Sequence, residues 1–350
     1  MKTLSKEEMP NQEMDKSYKK LVILALLPIV GLFVSLCIGR YFVEPLAVSK
    51  IIYSKIFSLS KTWSDIEETV VLNVRLPRII LAMFIGGGLS ACGTVNQGMF
   101  GNPLVSPHIL GVSYGAGMGA ALGILLSGNM ATIQLLSIAF GILAMIMTYA
   151  ISKKNGSRNL FMLVLGGIIV GAFFQALISL LKYVADPEEK LPTIVYWLMG
   201  SMAGTSWNDL KIGIPLISAG MVVFIILRWK INVLSLHEDE AKSLGINVNR
   251  MRGIIIIATT IITATSVSLC GIIGWIGLVI PHLSRMLVGN NHRMLIPASF
   301  FFGSFYLLVI DDIARSLTAA EIPLSILTAI VGAPFFTYLL RKTGGNWNAS

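Results

Sequence analysis

The stretch Leu21-Val22-Ile23-Leu24-Ala25-Leu26-Leu27-Pro28-Ile29-Val30-Gly31-Leu32-Phe33-Val34-Ser35-Leu36-Cys37-Ile38 decides the fold class, because it holds no charged residue. A helix rises 1.5 Å per residue, so about 20 apolar residues cross the roughly 30 Å hydrocarbon layer. Inside lipid such a helix satisfies its own backbone hydrogen bonds. Comparable runs recur at 254–269 and 295–310. Across 350 residues the chain is 55% hydrophobic and 13% charged, with a mean hydropathy of +0.76. Soluble domains carry about 25% charged residues. A soluble helical bundle would need charged helix faces, which these runs lack. The sequence therefore predicts an all-α, polytopic membrane protein. The first run follows a polar tail, residues 1–20, and reaches Cys37-Ile38-Gly39-Arg40 without a small-residue cleavage site, so it reads as an uncleaved span. Cys37, Cys92 and Cys270 lie in or beside apolar runs without metal-ligand spacing and read as packing residues.

Apolar runs and their breakers give about ten spans, at 21–42, 77–95, 107–127, 131–151, 160–182, 208–229, 252–269, 272–287, 294–313 and 322–340. Placing the N-terminus inside puts 17 of the 27 basic residues on the inner segments, with about 7 of the 18 acids. That asymmetry is the expected cytoplasmic excess of Lys and Arg, and it predicts both termini on the cytoplasmic side. The net charge of +9 then reflects topology. A basic stripe with interleaved aromatics is missing from the sequence, so nucleic acid is not an expected partner.

Two stretches echo one another. Leu89-Ser90-Ala91-Cys92-Gly93 precedes Pro107-His108-Ile109-Leu110, and Val267-Ser268-Leu269-Cys270-Gly271 precedes Pro281-His282-Leu283. Spans two to five and seven to ten therefore read as a duplicated unit, a common device of transporters.

Four segments carry more than hydropathy. The first runs from Arg75-Leu76-Pro77-Arg78 through Gly86-Gly87-Gly88 and Gln97 to Asn102-Pro103-Leu104-Val105-Ser106-Pro107. It places two cations at a membrane edge, then a glycine face that lets helix backbones approach, then a proline-punctuated turn. The second is Ser235-Leu236-His237-Glu238-Asp239-Glu240-Ala241-Lys242-Ser243-Leu244-Gly245. Ser235 and Glu238 have capping-box spacing and Gly245 suits a helix end, so this reads as a short polar helix in the loop at about 230–251. The third is Gly274-Trp275-Ile276-Gly277-Leu278-Val279-Ile280-Pro281-His282. The fourth comprises Asp311-Asp312-Ile313-Ala314-Arg315, Glu321-Ile322-Pro323 and Gly332-Ala333-Pro334.

Together, in this order, these segments resemble the FecCD-type permeases of ATP-binding-cassette importers, the membrane subunits for ferric siderophores, haem and vitamin B12. The resemblance spans residues 21–342, leaving a cytoplasmic tail at 1–20 and another at 343–350. It implies ten spans, a second permease copy in a homodimer, two cytoplasmic ATPase subunits, an extracytoplasmic substrate-binding protein and a bacterial or archaeal cell (inner) membrane. It implies that Arg75, Arg78 and Arg315 receive acidic residues of the binding protein. The 235–245 helix would seat in the ATPase subunit. Asn102, Pro103 and Leu104 would contribute to a cytoplasmic gate, and spans three, five and ten would line a channel between the copies. The chain itself is expected to be no enzyme and to carry no cofactor or metal, with ATP and Mg held by the partner ATPase. An iron chelate or haem is the favoured cargo, with a corrinoid as the alternative.

The residues agree with a borrowed energy source. No G-x-x-x-x-G-K-[ST] phosphate loop occurs in these 350 residues, nor H-E-x-x-H. An ion-coupled secondary transporter, the main rival, needs acids at mid-membrane, whereas the acids here fall at span ends. His108 and His282, each after a proline, read as local hydrogen-bonding groups. Trp197, Trp207 and Trp275 read as interface or packing residues.

Overall fold

The computed structural model describes residues 8–55, 57, 60–154, 157–158, 160–236 and 238–343. Among the described residues the chain is almost wholly helical. The exception is a two-residue antiparallel pair, Lys153–Lys154 with Ser157–Arg158. The helices are α1 (Glu8–Cys37), α2 (Pro45–Ser54), α3 (Asp65–Thr69), α4 (Leu76–Phe100), α5 (Val112–Leu126), α6 (Met130–Ile151), α7 (Leu160–Val184), α8 (Lys190–Leu198), α9 (Trp207–Leu234), α10 (Glu238–Ser243), α11 (Val248–Cys270), α12 (Ile276–Val288), α13 (His292–Leu317) and α14 (Leu324–Thr343).

Each of the ten expected spans falls on one of these helices. Among the described residues, seven helical stretches are long and apolar enough to cross a membrane, those containing α1, α4, α6, α7, α9, α11 and α13; α5, α12 and α14 supply shorter apolar segments. Several boundaries differ from the sequence reading, three of them in a way that shapes the fold. Helix α1 begins at Glu8, so most of the polar tail is helical. The third span opens with a 3-10 turn, Pro107–Leu110, and becomes α-helical only at Val112. The eighth is non-helical until Ile276. Residues 1–7 and 344–350 lie outside the described residues.

Helices α3 and α4 form one continuous helix from Asp65 to Phe100. It opens with a capping box in which the Glu67 amide donates to Ser64 Oγ and the Ser64 amide to the Glu67 carboxylate. Pro77 has no amide to continue the ladder and would crowd the carbonyl one turn back. The widened π turn at Val70–Arg75 absorbs that misfit without ending the helix.

Helix α4 is the most buried span and α11 the next, 83% and 78% of their apolar windows, so these two form the centre of the bundle. Lipid gives helices no hydrophobic reason to associate, so close packing must hold them. The α4–α13 seam is built that way. A Cβ on Gly86 would strike the Gly303 carbonyl oxygen, and one on Gly303 would strike Ser90 Oγ. Thr94 Oγ1 donates to Ser299 Oγ at 2.7 Å and Ser304 Oγ to the Met83 carbonyl at 2.7 Å. Five crossings separate the two halves of the proposed repeat, so its units run in opposite directions. Cys92, in the second half of α4, lies against Thr259, midway along α11.

Candidate functional site

The bundle has two polar ends. At one end α1, α4 and α13 are fastened by Arg75, Arg78 and Arg315. Arg75 Nη1 donates to the carbonyls of Leu36 (2.6 Å) and Cys37 (3.2 Å), and Nη2 to that of Tyr41. These are carbonyls at or just beyond the end of α1, left over by its hydrogen-bond ladder and at the negative pole of its dipole. Arg78 lies between two carboxylates, at 2.8 Å from Asp311 and 2.9 Å from Glu321, with its Nε also donating to Asp311. Arg315 binds Asp312 at 2.6 Å and the Ser35 carbonyl at 2.6 Å, and Ser35 Oγ donates to Asp312.

All three guanidinium groups are buried, with residue exposures of 4, 7 and 6% for Arg75, Arg78 and Arg315. The sequence reading placed them at the surface as free cations; in the single chain they are enclosed and partnered. The sequence hid this because Asp311 and Glu321 lie more than 230 positions from Arg78, and only the packing of α13 on α4 brings them together.

At the opposite end the chain turns four times. Helix α4 ends on Gly101 at φ +60°, where the amides of Gly101 and Asn102 cap the Gly98 and Gln97 carbonyls. Asn102 Oδ1 then accepts from the Leu104 amide at 2.9 Å, an Asx turn with Asn102 and Leu104 exposed and Pro103 half-buried. The candidate gate segment therefore sits at the same end as α10, the arrangement that an even number of crossings requires. A polar knot ties this end together. Asn232 Oδ1 accepts both the backbone amide and the ring Nδ1–H of His292 (2.8 Å each), and Arg285 donates to Gln97 Oε1 at 3.1 Å. The sequence reading did not foresee that Asn232 would pair with His292 or Gln97 with Arg285, since each bond joins separate helices.

Helix α10 lies in the loop between α9 and α11. Its Ala241 and the following Ile246 are buried, while Asp239, Glu240, Ser243 and Leu244 are exposed. The amide of Ile246 bonds the Ala241 carbonyl and that of Gly245 the Lys242 carbonyl, with Gly245 at φ +76°. This is a Schellman ending with an apolar contact across it, as the glycine predicted. The expected Ser235–Glu238 capping box is corrected. Ser235 continues the last turn of α9 with helical backbone angles, and its Oγ donates to the Asn232 carbonyl. His237 lies outside the described residues.

Glu238 fixes α10 to the bundle through Arg252 of α11 at 2.9 Å and binds Lys242 at 3.0 Å. The Lys242 ammonium, aided by Arg252, holds the Glu238 carboxyl below the usual carboxylate range, against the opposing effect of burial. A depressed carboxylate pKa stabilises the fold above the unfolded pKa and loses that effect as pH falls through the folded one. Glu238→Gln and the parent protein are therefore expected to differ in amide-exchange protection of residues 238–246 at pH 7. The difference should vanish once the pH falls below the carboxylate range.

Among the described residues no cluster of three or more His, Cys, Asp or Glu could hold a metal ion. The buried acids Asp209 and Asp311 both lie near helix ends and both have partners, Ser206 and Gln134 for the first and Arg78 for the second.

The model of the FecCD transport family matches residues 26–342. The molybdate import system permease protein MolB of Haemophilus influenzae is 42% identical over 335 residues, which span 94% of this chain and 98% of that protein. A probable iron chelatin transport system permease protein of Helicobacter pylori is 40% identical over 276 residues, 79% of this chain and 83% of its own. A solved structure described as an inward-facing conformation of a metal-chelate type ABC transporter matches with a TM-score of 0.83. It is 41% identical and covers 93% of this chain and 99% of its own.

Proposed function

Because the chain belongs to the FecCD transport family and is thereby an integral-membrane permease subunit of an ABC importer, we propose that it forms the translocation pathway for an iron chelate or haem. A separate ATPase supplies the energy. The observation that carries this reading is α10, a short capped helix fixed by Glu238–Arg252 and presenting Leu244, with Leu236 just ahead of it, to solvent at 58 and 48% exposure. An exposed leucine pair among charged groups suits a groove on a partner chain. A rigid helix fixed to α11 passes a push into the bundle, which a loose loop cannot.

In this reading α10 faces the cytoplasm, the membrane is the bacterial or archaeal cell (inner) membrane, and both termini are cytoplasmic. Two ATPase subunits engage two permease copies, and the Asn102–Leu104 turn lies at the inner gate. The channel runs between the copies along α5, α7 and α14. The chain itself performs no catalysis and holds neither ATP nor Mg. The binding protein docks on the end framed by Arg75, Arg78 and Arg315. Charge reversal at those positions would break buried pairs before it tested docking, so neighbouring exposed residues make better probes. A cysteine at Leu244 should crosslink to a co-expressed ATPase, and one at Ala320, exposed beside Glu321, to the binding protein. Crosslinks in the reverse order would overturn the assigned orientation.

A second cargo is favoured by one observation, the identity to a molybdate permease over nearly its full length. Uptake of labelled ferric chelates, haemin, a corrinoid and molybdate by the permease–ATPase assembly with its binding protein separates the readings. The proposal expects a chelate to be transported and fails if molybdate alone is.

A further inference from the structure

Helices α5 and α12, equivalent positions in the two halves, have 15 and 13 residues. At 1.5 Å per residue they reach only about 20 Å, well short of the hydrocarbon thickness. Each is short because its entry is not α-helical. A 3-10 turn and Gly111 at φ +75° precede α5. Gly271 at φ +73° and Trp275 at φ +67° precede α12. Irregular backbone is tolerated at membrane depth only where protein covers it or where it lines a watery cavity. The two breaks meet, with His108 Nε2 at 3.1 Å from the Ile273 carbonyl. Between them opens a cleft of about 280 Å³ whose walls include Ser106, His108, Ser113, Tyr114, Trp275 and Leu278.

A left-handed tryptophan is costly and persists only where its surroundings fix it. Trp275 is fixed by Gly332 of α14, where a Cβ would come within 2.8 Å of its own. Tyr114 rests likewise on Gly171 of α7, 3.2 Å from a Cβ there. The two aromatic walls of the cleft thus lean on the two helices assigned above to the channel. The imidazole of His108 is fully engaged. Its Nε2–H donates to Ile273, so Nδ1 accepts the Ser113 hydroxyl proton at 2.5 Å, which leaves no nitrogen for a metal. Among the described residues no Lys, Arg, Asp or Glu lines the cleft. A compact inorganic oxyanion would lose its hydration here without a countercharge. A conjugated ring can stack on an aromatic face and meet hydroxyls at the edge it inserts, while its charged substituents stay in water outside the cleft.

We propose that this cleft is a transient resting site for one edge of a flat, conjugated metal chelate, with Trp275 as the stacking surface and the Tyr114 and Ser106 hydroxyls as polar contacts. The inference rests on the importer reading and narrows its cargo.

The test titrates haemin, and separately sodium molybdate, into the permease–ATPase complex in nanodiscs, and measures ATP-dependent haemin uptake separately in liposomes that hold the same complex with its binding protein. The parent should bind haemin saturably. Trp275→Phe should stay within about threefold, Trp275→Ala should weaken binding about tenfold, and Tyr114→Phe should weaken it severalfold. Adhesion to lipid would be equal in all four proteins and would overturn the proposal, as would saturable molybdate binding that Trp275→Ala abolishes. If Trp275→Ala does not fold, Tyr114→Phe decides, and unchanged binding by that variant counts against the site. Failure of the importer reading looks different, as a parent complex that takes up no tested cargo in liposomes even with its binding protein and ATP.

Discussion

Arg78→Ala is expected to destabilise the protein by about 3–5 kcal/mol, the usual result of removing one partner from a buried ion pair. Asp311 is fully buried and the Arg78 fork is its cation at 2.8 Å. Without that fork a carboxylate stays in the bundle with no countercharge, beside Glu321, the other carboxylate that Arg78 binds. Thermal melting in detergent measures the loss. Arg78→Lys should recover only part of it, because a point ammonium cannot serve both carboxylates as a planar fork does. Replacing Arg78 and Asp311 together by leucine should recover much of the remainder, since apolar groups of similar size often match a buried pair. If Arg78→Ala melts like the parent, the arginine is not a structural tie.

Gly93→Val is expected to abolish folded yield, because nothing around Gly93 can give way. A Cβ there would strike the carbonyl oxygen of Gly277 and come within 2.6 and 2.8 Å of its carbonyl carbon and Cα. All three atoms are backbone, and Gly277 is pinned in turn against Pro107 and the Leu89 carbonyl. Overpacking a core with movable side chains costs about 1–3 kcal/mol, and a backbone collision exceeds that range. Gly274→Ala is the control, since a Cβ there meets nothing within 4 Å and its φ is not positive. It should leave the melting temperature within the ordinary surface range of about 0.5 kcal/mol. Folded yield from Gly93→Val close to that of Gly274→Ala would show that α4 and α12 do not cross as closely as described.

Most of the bundle was legible because lipid makes few demands and makes them locally. Apolar runs such as Leu21–Ile38 report length and hydropathy directly, and all ten predicted spans found a helix. Caps set by near neighbours were legible too, as Gly245 shows. What escaped depended on distance along the chain. Ser235 has the right spacing from Glu238 for a capping box, but α9 continues through it and takes its backbone into the helix. Arg75, Arg78 and Arg315 looked like surface cations because each stands near a span end, and their partners come from other helices. Trp275 read as a packing residue, and its left-handed backbone had no sequence signal beyond the glycines at 271, 274 and 277.

The central claim is that this bundle moves solute only when a separate ATPase drives it, and reconstitution tests it most directly. Liposomes holding the permease alone should accumulate no labelled ferric chelate, haemin, corrinoid or molybdate, with or without an ion gradient. Adding the ATPase subunits, the binding protein and ATP should produce uptake of one of these cargoes that vanadate stops. Accumulation by the permease alone, or uptake that follows an ion gradient and ignores ATP, would contradict the account.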